Sequence, residues 1–271
     1  MLKADSLITR LLYHAATKPD HQAVVAASLS LSYAELAECV KRQVLVLHDL
    51  GLSDQSVIGI KCADDIQHLI LSLAACYLGG RSFTIPSYES EKVQALLMAQ
   101  SSGSHILTKN DVVDPQSHRS EQDASPGSPA ECSSLLFSTS GTTGKPKLVI
   151  HHDVDLVEQA PRHIQSAQER FVCLASMEHN FAKRHRLYCV AAGATNSFLD
   201  LSAVDYQETL VAQILALKVN VMHLSAFQAQ ELLALSDAGS LSGIRLKLGG
   251  SHVPALLRKR LQESVTENLQ A

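Results

Sequence analysis

Apolar residues recur at helical spacing, then at strand spacing, and the two patterns alternate along almost the whole chain. In "DSLITRLLYHAATKP" Leu7, Ile8, Leu11, Leu12 and Ala15 share one helical face, and Pro19 stops the helix. "QAVVAA" and "LSLSY" predict two short strands around a turn. "YAELAECVKRQVLVLHDLG" predicts a helix ending at Gly51, and "SVIGIK" a buried strand. "DDIQHLILSLAACYLGG" predicts a helix with acids in its first turn, where the helix dipole favours them, and with Gly79-Gly80 as its C-terminal cap. "RSFTIP" predicts a strand, "SEKVQALLMAQ" a helix and "SHILT" a strand.

The alternation lapses between Asp111 and Cys132, "DVVDPQSHRSEQDASPGSPAEC", which is polar, rich in Ser and Pro and without period, and reads as a long exposed loop. It resumes with "SSLLFS", "KLVIH", a helix from about Val154, "RFVCLAS", a helix near Ala182 to Ala192, and "ATNSFL". "YQETLVAQILALK", "VNVMHL", "AFQAQELLALS", "IRLKLGG" and "VPALLRKRLQE" complete it. Repeated strand–helix order predicts a layered α/β fold, with mostly parallel sheets flanked by helices. The lapse predicts a division into a first α/β subdomain at 1–110, a linker loop at 111–132 and a second α/β subdomain at 133–271.

Composition narrows the function. A net charge of −4 with no basic block argues against a nucleic-acid partner. The most apolar run, "LILSLAACYL" at Leu69 to Leu78, is about half the ~20 residues needed to span a bilayer, and the start lacks the apolar core of a signal peptide, so no membrane is expected. Cysteines 39, 62, 76, 132, 173 and 189 form no C-x-x-C pair and sit mostly in apolar segments. They read as buried thiols in a reducing cytoplasm rather than as a disulfide frame.

One segment holds a pattern that no packed core requires: "FSTSGTTGKPKLVI", Phe137 to Ile150. Gly141 and Gly144 let backbone N–H groups approach a ligand closely. Ser140, Thr142 and Thr143 add short hydroxyl donors, Lys145 and Lys147 add cations, and Pro146 stiffens the exit. Such a loop suits an anion, a polyphosphate above all. It is not a Walker A loop. Counting back from Gly144-Lys145, Thr139 stands where the first glycine belongs, and Pro146 stands where the magnesium-holding Ser or Thr belongs.

Thr139 to Lys147, "TSGTTGKPK", resembles the phosphate-loop signature of the adenylate-forming enzymes: acyl-CoA synthetases, the adenylation domains of peptide synthetases, and luciferases. Weaker likenesses follow in the right order. "LSYAELAECVKR" and "YLGGRSFTIP" are similar to the family's first two blocks. "ASMEHNFA" looks like the segment where many members carry a substrate-side His, here His179. "IRLKLGGSHVPALLRKRLQE" looks like the strand, double glycine and helix that line the nucleotide and acyl pockets, here with Gly249, Gly250 and Ser251. By themselves His179 reads also as a polar start to a helix, and Gly249-Gly250 as a plain strand-to-helix turn.

The resemblance implies the amino-terminal portion of the large domain of such an enzyme. It implies attack of a carboxylic acid on the α-phosphate of ATP to give an acyl-adenylate and pyrophosphate. Transfer to the thiol of CoA or of an acyl or peptidyl carrier protein follows. Thr139, Ser140, Gly141, Thr142, Thr143, Gly144, Lys145 and Lys147 are implied on the ATP phosphates, and His179, Gly249, Gly250 and Ser251 in the adenine and acyl pocket. Mg2+ is implied with ATP, although no metal ligand can be named. Leu148 stands where the family usually has Gly. The family's Tyr-Gly-x-Thr-Glu block, ribose-binding Asp, hinge and catalytic Lys have no counterpart. The chain by itself is therefore expected to be inactive. The alternative is a non-catalytic nucleotide-binding or interaction module that kept the fold.

Other candidates read as structure. His151-His152-Asp153 reads as an exposed loop rather than a metal site, because adjacent strand residues point apart and no second cluster has ligand spacing. Lys183-Arg184-His185-Arg186 reads as a solvated helix face in preference to a contact with an anion or carrier protein. The serines lack the G-x-S-x-G elbow and the His/Asp pattern of a hydrolase.

Overall fold

A computed structural model of the chain describes residues 5–117, 126–139, 147–202, 206–249 and 252–270. Helix α1 (Leu7–Thr17) starts at Ser6, whose hydroxyl accepts from Thr9 N. Strands β1 (Gln22–Val25) and β2 (Ser30–Ser32) lead into α2 (Tyr33–Asp49), which begins with a capping box between Ser32 and Glu35. Strand β3 (Val57–Ile60) precedes α3 (Asp65–Leu78), which Asp64 caps and Gly79 ends at φ 84°. Then come β4 (Arg81–Thr84), α4 (Glu91–Ser101) and β5 (His105–Leu107). Beyond the 111–132 segment lie β6 (Ser134–Thr139), β7 (Lys147–His152), α5 (Asp153–His163), β8 (Arg170–Cys173), α6 (Asn180–Ala192) and β9 (Thr195–Ser197). The chain finishes with α7 (Tyr206–Ala216), β10 (Val221–Leu224), α8 (Ala226–Ala234), β11 (Arg245–Leu248), α9 (Ala255–Ser264) and β12 (Leu269–Gln270).

The strands form two sheets. One has the order β12-β11-β10-β8-β9-β1-β2, parallel except for β1 against β2. The other has the order β5-β3-β4-β6-β7, parallel except for β6 against β7. Three packed clusters set the layers. The largest lies between the sheets and holds Leu11, Leu36, Leu73, Leu156 and Leu187 from the middle helices, against Val24 and Phe171 on one side and Ile58 and Leu135 on the other. A second packs α7, α8 and α9 on the outer face of the longer sheet, through Ile214, Leu232 and Leu261 on Met222 and Leu246. A third packs α4 on the outer face of the shorter sheet, through Leu97 on Val57, Phe83 and Leu136. The result is helix, sheet, helix, sheet, helix. It explains why α3 is apolar all round: from His68 to Leu78 every residue is buried in the central layer.

Three sequence expectations are corrected. The division at 111–132 does not separate the sheets. β1 pairs with β9 (Val24↔Asn196), and β6 pairs with β4 (Arg81↔Ser134), so each half of the chain completes the other's sheet. Parallel pairing follows the fit of buried faces, and neighbours in a sheet need not be neighbours in sequence. Residues 151–153 are not an exposed loop. His151 and His152 end β7, and Asp153 is a buried first residue of α5. Nor is Lys183 to Arg186 a solvated face: Lys183, His185 and Arg186 are 1%, 5% and 1% exposed. The 111–132 segment does lack strand and helix after a short 3₁₀ turn at Lys109–Asp111, among its described residues.

Candidate functional site

The hairpin of β6 and β7 carries the glycine-rich loop. Its register runs from Ser134↔His152 to Thr139↔Lys147, so the loop leaves and re-enters the sheet at a paired step. Ser140, Gly141, Thr142, Thr143, Gly144 and Lys145 lie outside the described residues, as do Gly250, Ser251 and the side chain of Thr139. Lys147 is described and exposed at the first position of β7. Leu148 turns to the opposite face and packs against the cluster of Phe83, Ile85 and Leu136, which accounts for a branched apolar residue there.

The start of α6 meets the end of β6. Asn180 Nδ2 donates to Ser138 O, at the last step before the loop. His179 precedes the helix, exposed, with its ring 6.3 Å from that of Tyr88. Two further contacts fix this turn. Glu178, buried, accepts from Ser87 N at 2.6 Å and from Ser87 Oγ at 3.0 Å. Asp65 Oδ1, in the first turn of α3, accepts from Ser176 Oγ at 2.7 Å and from Met177 N at 2.8 Å. Glu178, Asp65 and Asn180 carry no sign of this role in the sequence, because their partners lie more than forty residues away. The only local signal is a run of polar residues ahead of a helix.

Gly249 directly follows β11, and its N–H donates to Leu224 O at 3.0 Å. A Cβ on it would stand 3.1 Å from Phe181 Cε2 and 3.2 Å from His223 Nε2. Only glycine fits without displacing one of these rings. Phe181 lies in the first turn of α6, so the start of that helix touches both the root of the loop and the end of β11. Three of the predicted elements (the loop's first strand, the His179 segment and Gly249) therefore converge at the carboxyl ends of parallel strands, where open α/β sheets hold ligands.

Beneath this junction lies a cluster of histidines. The rings of His185 and His223 are 4.3 Å apart, His223 and Phe181 4.1 Å, and His163 stacks on Tyr188 at 4.5 Å. His185 donates through Nδ1 to Phe181 O, and Lys247 donates to His163 O. Burial pushes His185 down to about 4, with His163 and Lys247 adding to the effect. Burial pushes His223 down to about 2, helped by His185 and Lys247. Nearer the start of α6, Lys183 Nζ donates to Thr84 Oγ1 at 3.1 Å, and Thr84 Oγ1 is 3.2 Å from His68 Nε2. Burial draws Lys183 down to about 8 and His68 to about 3.

These histidines make stability depend on pH. Each binds its proton more weakly folded than unfolded, so its contribution is complete above about pH 6.5 and is lost as pH falls toward its folded value. From about pH 6.5 to about pH 5, His185 and His223 should each cost on the order of 2 kcal/mol. Urea midpoints measured across that window should fall, and more shallowly for His185→Phe. Equal slopes in the two proteins would remove the cluster as the cause.

No group of three or more His, Cys, Asp and Glu that could hold a metal occurs among the described residues. Nor is any helix among them long and apolar enough to cross a membrane.

Comparison with known proteins agrees with the architecture. The sequence profile described as AMP-binding enzyme matches residues 11–270. The chain is 25% identical to tyrocidine synthase 2 of Brevibacillus parabrevis over 90% of its own length but only 8% of that protein's. It is 26% identical to the phosphinothricin tripeptide synthetase PhsC of Streptomyces viridochromogenes, over 84% of this chain and 23% of that one. The fold matches the Klebsiella oxytoca NpsA N-terminal subdomain in complex with 3-hydroxybenzoyl-AMSN. That match has a TM-score of 0.81 at 18% identity and covers 98% of this chain and 72% of that one. It also matches the inhibitor-bound N-terminal domain of FACL13 from Mycobacterium tuberculosis. There the TM-score is 0.80 at 17% identity, with 97% and 74% covered.

Proposed function

This chain belongs to the AMP-binding enzyme family, and from that premise we propose that it is the amino-terminal part of a ligase that activates a carboxylic acid with ATP. The loop Thr139 to Lys147 holds the β and γ phosphates, with Lys145 and Lys147 offsetting the charge that builds on the leaving pyrophosphate. The acid's carboxylate oxygen attacks the α-phosphorus, the bond to the pyrophosphate oxygen breaks, and an acyl-adenylate forms. His179, Gly249, Gly250 and Ser251 line the pocket for adenine and acid. The observation that carries this reading is the convergence of Ser138, Asn180, Phe181 and Gly249 at one end of the sheets. Mg2+ accompanies ATP in this family; no step here is assigned to it.

The acceptor is a thiol, of CoA or of a carrier protein. The likeness to peptide synthetases supports the carrier, and the loop's resemblance to that of acyl-CoA synthetases supports CoA. All six cysteines are free thiols and five are buried, which supports a cytoplasmic setting.

The test is acid-dependent ATP–pyrophosphate exchange. The complete gene product should exchange with at least one acid of a broad panel. Residues 1–271 alone should form no acyl-adenylate, because the reacting groups must be held within a few tenths of an ångström and the family's ribose and lysine blocks have no counterpart here. Exchange by residues 1–271 alone would overturn the second statement, and ATP binding without any exchange by the complete protein would favour a non-catalytic module.

A further inference from the structure

The turn between β8 and α6 belongs to the longer sheet, yet two carboxylates tie it to the shorter one. Asp65 opens α3, which follows β3, and its Oδ1 accepts from Ser176 Oγ at 2.7 Å and from Met177 N at 2.8 Å. Glu178 reaches the turn between β4 and α4, where its two oxygens accept from Ser87 N at 2.6 Å and from Ser87 Oγ at 3.0 Å. Glu178 and Ser87 lie 91 positions apart in the chain. Glu178 is 8% exposed, and a carboxylate is costly to bury. Offsetting that cost are two charge-assisted hydrogen bonds to one residue, which fix the β4–α4 turn in direction as well as in distance.

What that turn carries is an exposed aromatic ring. Tyr88 follows Ser87 and is 65% exposed, and His179 follows Glu178 and is exposed as well. Their rings stand 6.3 Å apart, tilted by 32°. A group lying between them would need two contacts of about 3.5–4.0 Å, more than the 6.3 Å present, so the rings form one continuous wall and not a slot. The α6 side of this wall is fixed independently, by Asp65 on Ser176 and Met177 and by Asn180 on Ser138 O. Glu178 therefore holds the Tyr88 arm. The wall stands beside the root of the glycine-rich loop, because Asn180 is the residue after His179.

Resting on the reading of His179 as a wall of the acid pocket, we propose that Tyr88 continues that wall and touches the bound acid, and that Glu178 is a positioning residue that holds Tyr88 against His179. A tie that served the fold alone would leave the identity of residue 88 immaterial to the acid. Aromatic rings present apolar faces with polar tips, so the carbon skeleton of the acid meets them.

Two measurements test this. In the complete gene product, with an acid that the parent activates, Tyr88→Ala should raise KM for the acid by about tenfold and leave KM for ATP within about twofold of the parent. Glu178→Ala should raise the same KM, and Glu178→Gln, which keeps an acceptor oxygen, should recover most of the loss. Added to Tyr88→Ala, Glu178→Ala should raise KM for the acid by less than about twofold more, because it acts through the ring already removed. Ser87→Ala, at an exposed position, loses only the hydroxyl bond and should give a smaller rise of the same sign, which keeps the test open if Glu178→Ala does not fold. Multiplied effects in the double variant, or equal rises in both KM values, would make Glu178 a tie of the fold alone and overturn the proposal. The second measurement needs no acid. In residues 1–271, NMR cross-peaks between the Tyr88 and His179 rings should be present in the parent, weaker in Ser87→Ala and absent in Glu178→Ala. Unchanged cross-peaks in both variants, or none in the parent, would overturn the proposal, whereas a complete protein that exchanges with no acid counts against the proposed function.

Discussion

Lys145→Ala in the complete gene product should lower the rate of adenylation by about ten- to more than a hundredfold. That is the rate equivalent of losing one charge-assisted contact to a phosphate, roughly 1.5–3 kcal/mol. Lys147→Ala should cost less. Lys145 follows Gly144 inside the loop, where an ammonium can fold back onto a phosphate. Lys147 is already the first residue of β7, paired with Thr139, and its side chain is committed to one face of the strand. Leu148→Gly should behave differently from both. It removes no ligand group but strips a partly buried side chain from the Phe83 cluster, so its effect should fall on stability, about 1–3 kcal/mol, with near-parent kinetics at low temperature. Exchange kinetics and melting curves for the three variants separate these outcomes. Full activity of Lys145→Ala at sub-saturating ATP would remove that residue from the phosphate site.

Asp153→Ala should be the most damaging single change to the fold outside the apolar core, with a loss of about 2–5 kcal/mol and a fall in Tm on the order of 10 °C. Asp153 is 1% exposed. Its Oδ1 accepts from Ser133 N at 2.9 Å and its Oδ2 from Leu7 N at 3.1 Å. One carboxylate thus ties together the first residue of α1, the entry to β6 and the start of α5. Alanine leaves two buried N–H groups without an acceptor, each costing about 1–3 kcal/mol. Asp153→Asn retains one acceptor oxygen and should fall between. Because β6 feeds the glycine-rich loop, exchange activity in the complete protein should fall together with stability. Differential scanning calorimetry decides: a Tm within about 2 °C of the parent would show that water or another group satisfies both donors.

The sequence by itself determined most of the elements and marked out one loop as a candidate for anion chemistry. Periods of 3.6 and 2, acid at helix starts and glycine at helix ends are local signals, since each is set by a residue's own turn of backbone. That is why α3 is placed from Asp64 to Gly79, and why Thr139 to Lys147 stands out as a candidate anion loop without any partner. The family resemblance rested on the same contiguous residues. Only the tertiary structure decided what is near what. The exchange of β1-β2 and β6-β7 between the halves has no local mark, because parallel strands select partners by the fit of buried faces. "KRHR" and "HHD" looked solvated because charge ordinarily seeks water. Lys183, Arg186 and Asp153 are buried because Thr84, two strand-end carbonyls and two distant N–H groups were brought to them. Gly249 reads alike as a turn or a pocket wall, and only the structure sets Phe181 and His223 within 3.1 and 3.2 Å of where a Cβ would stand. Such pairings join residues tens of positions apart, and a hydrogen bond acts over 3 Å of space regardless of the length of chain between its ends.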